Sequence, residues 1–420
     1  MNSVCFYFQV HQPYRLRDFN FFDIGSGTNC FDSEKNLEIL NKVSEKCYLP
    51  ANQLFLDLIN KYPGEFKISF SLSGVFLEQC ETWRPDVLTS FQSLVDTGQV
   101  EILGETYYHS LSYLYSKEEF VTQVKKHNDL IKRLFGVEPK VFRNTELIYN
   151  NDLAYFVKEM GYQGIIAEGV DHLLGYQSPN FIHHPPGLSN FPILLKNYKL
   201  SDDIAFRFSN KGWNEHPLSS EKYANWIHQT AGNGETVNLF MDYETFGEHQ
   251  WEDTGIFEFL RYLPEAIFRH PDFKFHTPSE VINHYSIRGT YDAHDYTSWA
   301  DSERDLSAWR SNAMQHEALR SIYSLEKTIK LAKNIELLEY WRKLTTSDHF
   351  YYICTKYWSD GDVHKYFSPF DSPIQAYNNF INTCADLEYR LSKSTSKVTS
   401  KVTSNLKLIR SRSLDLSEIS

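Results

Sequence analysis

The apolar positions of this chain come in short unbroken runs separated by stretches with helical spacing. Residues 4–10 form the first apolar run, and residues 67–72, 100–103, 139–142 and 164–167 repeat it. Weaker pieces fall at 181–183 and 191–195, a strong one at 237–241, and a last short one at 274–276. Between them, apolar residues recur three and four apart over about 36–60, a stretch reaching Phe91 and Val95, 117–135, 151–160, 220–231 and 255–269. Continuous short runs bounded by breakers such as Pro63-Gly64 and Gly98 predict buried strands, and the longer spaced stretches predict helices. The connections are too long for hairpins, so the alternation predicts βα units on a parallel sheet. Seven or so such units suggest a closed or nearly closed barrel, in which working residues occupy the C-terminal ends of strands.

From about residue 301 the pattern changes. Residues 303–332, 334–345 and 371–391 predict helices only, with a turn at Trp358-Ser-Asp-Gly-Asp. The end, from about 392, is rich in Ser, Thr and Lys and carries Ser-Lys-Val-Thr-Ser-Lys-Val-Thr-Ser, so a poorly ordered tail is expected there. The expected division is therefore a catalytic barrel over 1–300, a helical region over 301–391 packed on it, and a tail over 392–420.

The strand ends carry the candidate chemistry. The run at 237–241 stops in Asp242-Tyr-Glu244-Thr-Phe-Gly-Glu-His249-Gln-Trp251, acids and a histidine interleaved with aromatic residues. The run at 139–142 stops in Arg143-Asn-Thr-Glu146, the run at 100–103 in Gly-Glu105, and the first in His11-Gln12-Pro13. Carboxyl groups can transfer protons or act as nucleophiles, and aromatic faces cover the apolar faces of pyranose rings. A glycosidase that retains anomeric configuration needs two carboxyls roughly 5–5.5 Å apart, and two barrel strands can deliver Glu146 and Asp242 from distant points in the chain. Arg143 offers a cation to hold a neighbouring carboxylate ionised. Each has a plainer reading as well: Glu146 as a carboxylate at a helix N-terminus, His11 as a structural histidine, Glu105 as a strand-end acid. His11, Gln12, Glu105, Arg143, Glu244, His249, Trp251, Trp299 and Trp309 are the candidates for binding a sugar.

A net charge of −12 and a pI of about 5.7 argue against nucleic acid or an anionic membrane as partner. No apolar run is long enough to span a bilayer, and the N-terminus reads as a strand rather than a signal peptide. Six scattered cysteines with no CxxC pair exclude a zinc ribbon and fit a cytoplasmic protein.

Taken together, these stretches resemble glycoside hydrolase family 57. His-Gln-Pro at 11–13 matches the first of its short regions, and Gly-Gln-Val-Glu-Ile-Leu-Gly-Glu at 98–105 is similar to the second. Phe-Arg-Asn-Thr-Glu at 142–146 is similar to the third, Asp-Tyr-Glu-Thr-Phe-Gly at 242–247 to the fourth, and Trp309-Arg-Ser-Asn-Ala-Met-Gln to the looser fifth. The resemblance implies an incomplete (β/α)7 barrel of the TIM type with a helical region closing one side, no metal or other cofactor, and retaining action on α-1,4-glucans or maltooligosaccharides. It implies Glu146 as nucleophile and Asp242 as proton donor. The chain departs from the pattern at Glu248-His249, where several family members place His directly after Gly. Hydrolase and 4-α-glucanotransferase or branching activity remain open alternatives, as does the oligomeric state. A metal-dependent carbohydrate deacetylase would want an Asp-Asp pair after the first strand and a His-x-x-x-His, neither of which is evident. A glucan-binding protein with an inactive site is the other rival.

Overall fold

In a computed structural model, the protein is described over residues 2–356 and 368–415, with side chains described through residue 394. Its strands are β1 (Asn2–Val10), β2 (Ile68–Leu72), β3 (Val100–Ile102), β4 (Val141–Arg143), β5 (Gly164–Glu168), β6 (Ile182–His184), β7 (Ile193–Lys196), β8 (Thr236–Asp242), β9 (Phe273–Phe275) and β10 (Ile287–Thr290). Two compact units are formed, one from residues 1–13 and 33–308, the other from 14–32 and 309–420.

In the first unit, β3-β2-β1-β8 form one parallel sheet, with β9 added on β1. The second sheet runs β10-β6-β7-β5-β4 and is parallel except where His183 of β6 faces Ile193 of β7. The two sheets meet twice. On one side Gly104, just past β3, bridges Phe142 of β4, with Gly104 N–H donating to Val141 at 2.9 Å and Arg143 N–H to Gly104 at 2.8 Å. On the other side Asn197 N–H donates to the carbonyl of Asn238 at 2.9 Å, and the Asn238 amide returns to the carbonyl of Leu195 at 2.9 Å. Strands β1, β2, β3, β4, β5, β7 and β8 therefore follow one another around a circuit, joined between β7 and β8 by this asparagine seam.

Burial on both faces explains why the strands read as unbroken apolar runs rather than alternating ones. One apolar cluster takes Cys5 and Tyr7 from β1, Leu103 from the end of β3, and Val141, Ile166, Leu194 and Phe240 from β4, β5, β7 and β8. Outside the first sheet, the rings of Phe8, Phe55, Phe70, Phe91 and Tyr243 pack at centroid spacings of 5.0–6.0 Å, mostly in edge and tilted arrangements that suit aromatic quadrupoles, with Phe55 and Tyr243 stacked. The helix Lys117–Phe135 is fixed at its start by the Ser116 hydroxyl accepting from Glu119 N–H, and ends at Gly136 with φ 70°.

Two differences from the sequence expectations concern local chemistry. The helical stretch at 36–60 is interrupted by one π turn, Ser44–Tyr48, between Ser33–Val43 and Leu49–Lys61. Strand β10, Ile-Arg-Gly-Thr, has a glycine and a register shift inside it and gives no apolar run to read.

The second unit holds helices Ala313–Ser324, Glu326–Ala332, Ile335–Leu344, Ser347–Tyr351 and Pro373–Asp415. Its N-terminal piece is tied down by side chains of the last helix: Phe19 N–H donates to Asn379, Gly25 N–H to Asp386, and Arg390 donates to the carbonyl of Thr28 at 2.6 Å. The turn expected at Trp358 lies outside the described residues, as do residues 416–420 of the expected tail.

Candidate active site

β8 runs buried as far as Met241 and delivers Asp242 at its end, in register with Gln9 of β1. The chain then turns through Tyr243–Thr245 and reaches Gly247, whose φ is 116°. A Cβ at Gly247 would lie 1.9 Å from the carbonyl oxygen of Lys46, so only glycine allows the loop to lie this close to the π turn. Single π turns inserted in α-helices re-aim side chains and concentrate at functional sites. Here the turn directs the Tyr48 hydroxyl to Oε1 of Glu244, and the Gln12 amide donates to the Tyr48 oxygen at 3.0 Å. Burial, then the negative charge of Asp242, pushes the Glu244 carboxyl up to about 8.

Beyond β4, the backbone leaves the pleat. Glu146 and Leu147 both adopt left-handed conformations (φ 58° and 51°), as does His109 (φ 51°). Such conformations cost non-glycine residues on the order of 1–3 kcal/mol each and cluster where a side chain must be aimed. The Glu146 carboxylate is gripped on both oxygens. His109 Nε2 lies 3.0 Å from Oε1, and the Trp299 indole N–H donates to Oε2 at 2.8 Å. The Trp299 backbone N–H also donates to the Glu146 carbonyl at 3.1 Å. On its other side His109 Nδ1 lies 3.2 Å from Glu105 Oε2.

The two carboxyl groups feel each other. Asp242 is raised to about 6, first by burial and then by the charge of Glu146, against the pull of Arg143, Lys196 and His109. Arg143 is fully buried with its guanidinium 5.0 Å from the Trp299 ring centre, and the Lys196 ammonium is 5.4 Å from the same ring. Burial presses the His109 imidazole down, but hydrogen bonds to Glu105 and Glu146 lift it to about 9.

Residues 5–294 match the sequence model of glycosyl hydrolase family 57. The chain belongs to that family. It is 44% identical over 406 residues to a protein of Methanocaldococcus jannaschii named "Putative alpha-amylase", covering 93% of this chain and 85% of the relative. It spans only 32% of the α-amylase of Pyrococcus abyssi, with 28% identity over 218 residues and 50% of this chain. Among solved structures, the fold is similar to a family 57 branching enzyme from Pyrococcus horikoshii, with a TM-score of 0.66, 15% identity and 87% of each chain covered. It is also similar to a 4-α-glucanotransferase from Thermococcus litoralis, with a TM-score of 0.63 and 18% identity, over 83% of this chain and 56% of that one. At these identities the structural likeness is one of fold, α/β with parallel sheets.

As a family 57 member the chain is a glycoside hydrolase, and the structure places its candidate residues as follows. Glu146 and Arg143 from the end of β4, Asp242 from the end of β8 and Trp299 from the segment after β10 converge. His11 joins them, its ring stacked on His109 at 4.1 Å and its Nδ1 2.7 Å from the Ser73 hydroxyl. Glu105 is fully buried and its oxygens meet Gln9 and His109, which fits the orienting of a neighbour rather than the holding of a sugar. Gln12 and Glu244 meet each other at 3.5 Å and share Tyr48 as a partner. His249 is pressed down to about 4 by burial and by Lys42, so it is uncharged near neutrality. Trp251 is 58% exposed beneath the Lys46 ammonium, 5.3 Å from its ring centre. Trp309 belongs to the second unit, where it is buried with its ring 6.3 Å from Tyr351.

Five further residues matter that motif reading passes over. His109 ends the same run as Glu105, four residues further on, and at its left-handed turn it faces Glu105 with one ring nitrogen and Glu146 with the other. Lys196 ends β7 and, with Arg304, pairs with Glu168 at the end of β5 (3.6 and 3.0 Å) and with Asp202 (3.2 and 3.5 Å). That network anchors the loop carrying Trp299. Among the described residues, no group of three or more His, Cys, Asp or Glu is placed to hold a metal ion. None of the described helices is long and apolar enough to cross a membrane.

Proposed function

We propose that the protein is a retaining α-glycoside hydrolase acting on α-1,4-glucans, with Glu146 as nucleophile and Asp242 as general acid and base. The circuit of seven strands is, in this reading, the incomplete (β/α)7 barrel of the family, and the enzyme works in the cytoplasm on glucan or maltooligosaccharide chains without a cofactor. One observation carries the reading. Two carboxyl groups on separate strand ends lie within electrostatic reach, one drawn toward protonation near pH 6 and the other held as an acceptor by two donors. Environments that push two carboxyls apart in this way assign acid and nucleophile.

The chemistry then follows in two steps. Glu146 attacks the anomeric carbon while Asp242 gives its proton to the departing glycosidic oxygen, leaving a glycosyl ester on Glu146. Asp242, now a carboxylate, takes a proton from water as the water oxygen attacks the same carbon, and Glu146 leaves. Two inversions return the original configuration. Trp251, exposed beside the loop, offers a flat face for a sugar ring further along the chain.

Replacing Glu146 or Asp242 by alanine and assaying on maltooligosaccharides and glycogen tests the assignment: activity is lost in both, and full activity in either overturns it. A 4-α-glucanotransferase or branching reaction uses the same two steps with a sugar hydroxyl in place of water. The fold likeness to enzymes of both names supports keeping it as the second reading. Products from maltoheptaose separated by length distinguish the two, since longer chains arise only by transfer.

A further inference from the structure

We infer that Glu105 holds His109 as an imidazolium, and that this cation aims the Glu146 carboxylate and offsets its charge without touching the sugar. The inference rests on the reading of Glu146 as nucleophile and concerns groups that stand behind it. Three observations carry it.

The first is donor counting. Both ring nitrogens of His109 face carboxylate oxygens, at 3.2 Å on the Glu105 side and 3.0 Å on the Glu146 side. An ionised carboxylate only accepts, and a neutral imidazole has a single N–H to give. Satisfying both contacts requires both N–H groups, hence an imidazolium. The environment agrees: Glu105 is held below the usual carboxylate range, burial being outweighed by its bond to His109 and by the charges of His109, His127 and Arg143. Arg143, whose Nη1 lies 3.5 Å from Nδ1, and the His11 ring stacked at 4.1 Å face the same imidazole, and Asp242 lies within its field. The two bonded carboxylates outweigh the opposing Arg143 cation.

The second is access. The Glu146 side chain is 22% exposed, whereas those of His109 and Glu105 are 2% and 0% exposed. A sugar that reaches Glu146 therefore meets the carboxylate, not the pair behind it. The third is backbone strain. His109 and Glu146, the two ends of the hydrogen bond, are both in left-handed conformations. Packing that holds two strained residues against one another fixes the direction of the bond as well as its existence.

The test uses the full chain and an aryl α-maltooligoside. In His109→Gln, kcat and kcat/KM fall together, on the order of 10- to 100-fold, the size of one charge-assisted hydrogen bond. The low-pH limb of kcat/KM moves toward neutrality, because a cation no longer favours the ionised nucleophile. Glu105→Gln gives a smaller loss of the same kind. The double variant Glu105→Gln/His109→Gln leaves no buried carboxylate facing an uncharged partner, and takes the place of His109→Gln should that variant not fold. The decisive comparison is in Glu146→Gly, where glycine suits the left-handed backbone and azide can enter in place of the carboxylate. There azide attacks the anomeric carbon and expels the aryl oxide, giving the inverted glycosyl azide, and at saturating azide adding His109→Gln costs nothing further. A penalty that persists in the azide background overturns the inference, since His109 would then act on the sugar directly. Wild-type kcat and pH profile in His109→Gln, beside an inactive Glu146→Gln, overturn it while leaving the nucleophile in place. An active Glu146→Gln instead removes the reading beneath it.

Discussion

Trp299 holds Glu146 twice, its indole N–H on the carboxylate at 2.8 Å and its backbone N–H on the carbonyl at 3.1 Å. The side-chain bond steadies the reacting group and the backbone bond steadies the turn that presents it. Trp299→Phe keeps a ring for Arg143 to lie against but removes the indole donor. We expect kcat to fall on the order of tenfold, the size of one hydrogen bond to a charged group, with little change in KM or in thermal denaturation. Steady-state kinetics on maltooligosaccharides with a melting curve would check this, and an unchanged kcat would show that His109 alone suffices.

Asp242 must carry a proton to start the reaction, and burial together with Glu146 raises it to about 6. Activity on unactivated glucans therefore falls as pH rises through about 6 in the free enzyme. Asp242→Asn removes that limb and lowers kcat by about 10²- to 10⁴-fold, the usual reach of general acid catalysis. Aryl glycosides with acidic leaving groups lose much less in the first step. Lys196→Met moves the same limb to higher pH, because the Lys196 cation favours the ionised form of Asp242. A limb that stays put in both variants would assign it to another group.

Glu244 contributes to the dependence of stability on pH. Its folded-state value is raised to about 8 from the ordinary carboxylate range, so the folded protein holds this proton more tightly than the unfolded chain. The stability it gives is present at low pH, declines as pH rises past the unfolded value, and is gone above about 8. Glu244→Gln imitates the protonated form and flattens this decline, which chemical denaturation between pH 5 and 9 would reveal.

His109 has the same sign for a different reason. Its imidazolium is favoured up to about 9 in the folded state, against an unfolded value of 6.5. The associated stability is complete below 6.5 and is lost as pH climbs through about 9. Denaturation midpoints for His109→Gln should lose their slope across that window.

Gly247→Ala tests the close approach of the Asp242 loop to the π turn. A methyl 1.9 Å from the Lys46 carbonyl, at φ 116°, cannot be accommodated without moving one of them. A cost above about 1 kcal/mol is expected, and Tyr48 and Glu244 part company. A melting temperature like that of the parent would mean the loop has room to shift.

Much of the scaffold was written in hydrophobic runs. The apolar stretches at 67–72, 100–103, 164–167 and 237–241 correspond to β2, β3, β5 and β8 within a residue or two, because a strand buried on both faces has no polar alternation to obscure it. β10 escaped because four residues with a central glycine carry no such signature. Glu146 and Asp242 were legible as acids at strand ends. The grip on Glu146 was not, since it depends on a left-handed turn at His109 and on Trp299, which lies 153 residues away in sequence. Nor does spacing disclose that residues 14–32 fold with the last helix, a link made by Asn379, Asp386 and Arg390 side chains.

The turn at Glu146 has one more consequence. An acid on a pleated strand takes its heading from its place in the alternation, so trimming the strand by one residue flips it to the opposite side. Here the heading comes from main-chain torsion past the last rung of β4. Deleting a single residue between Arg143 and Leu147 would therefore swing the carboxylate away from His109 and Trp299.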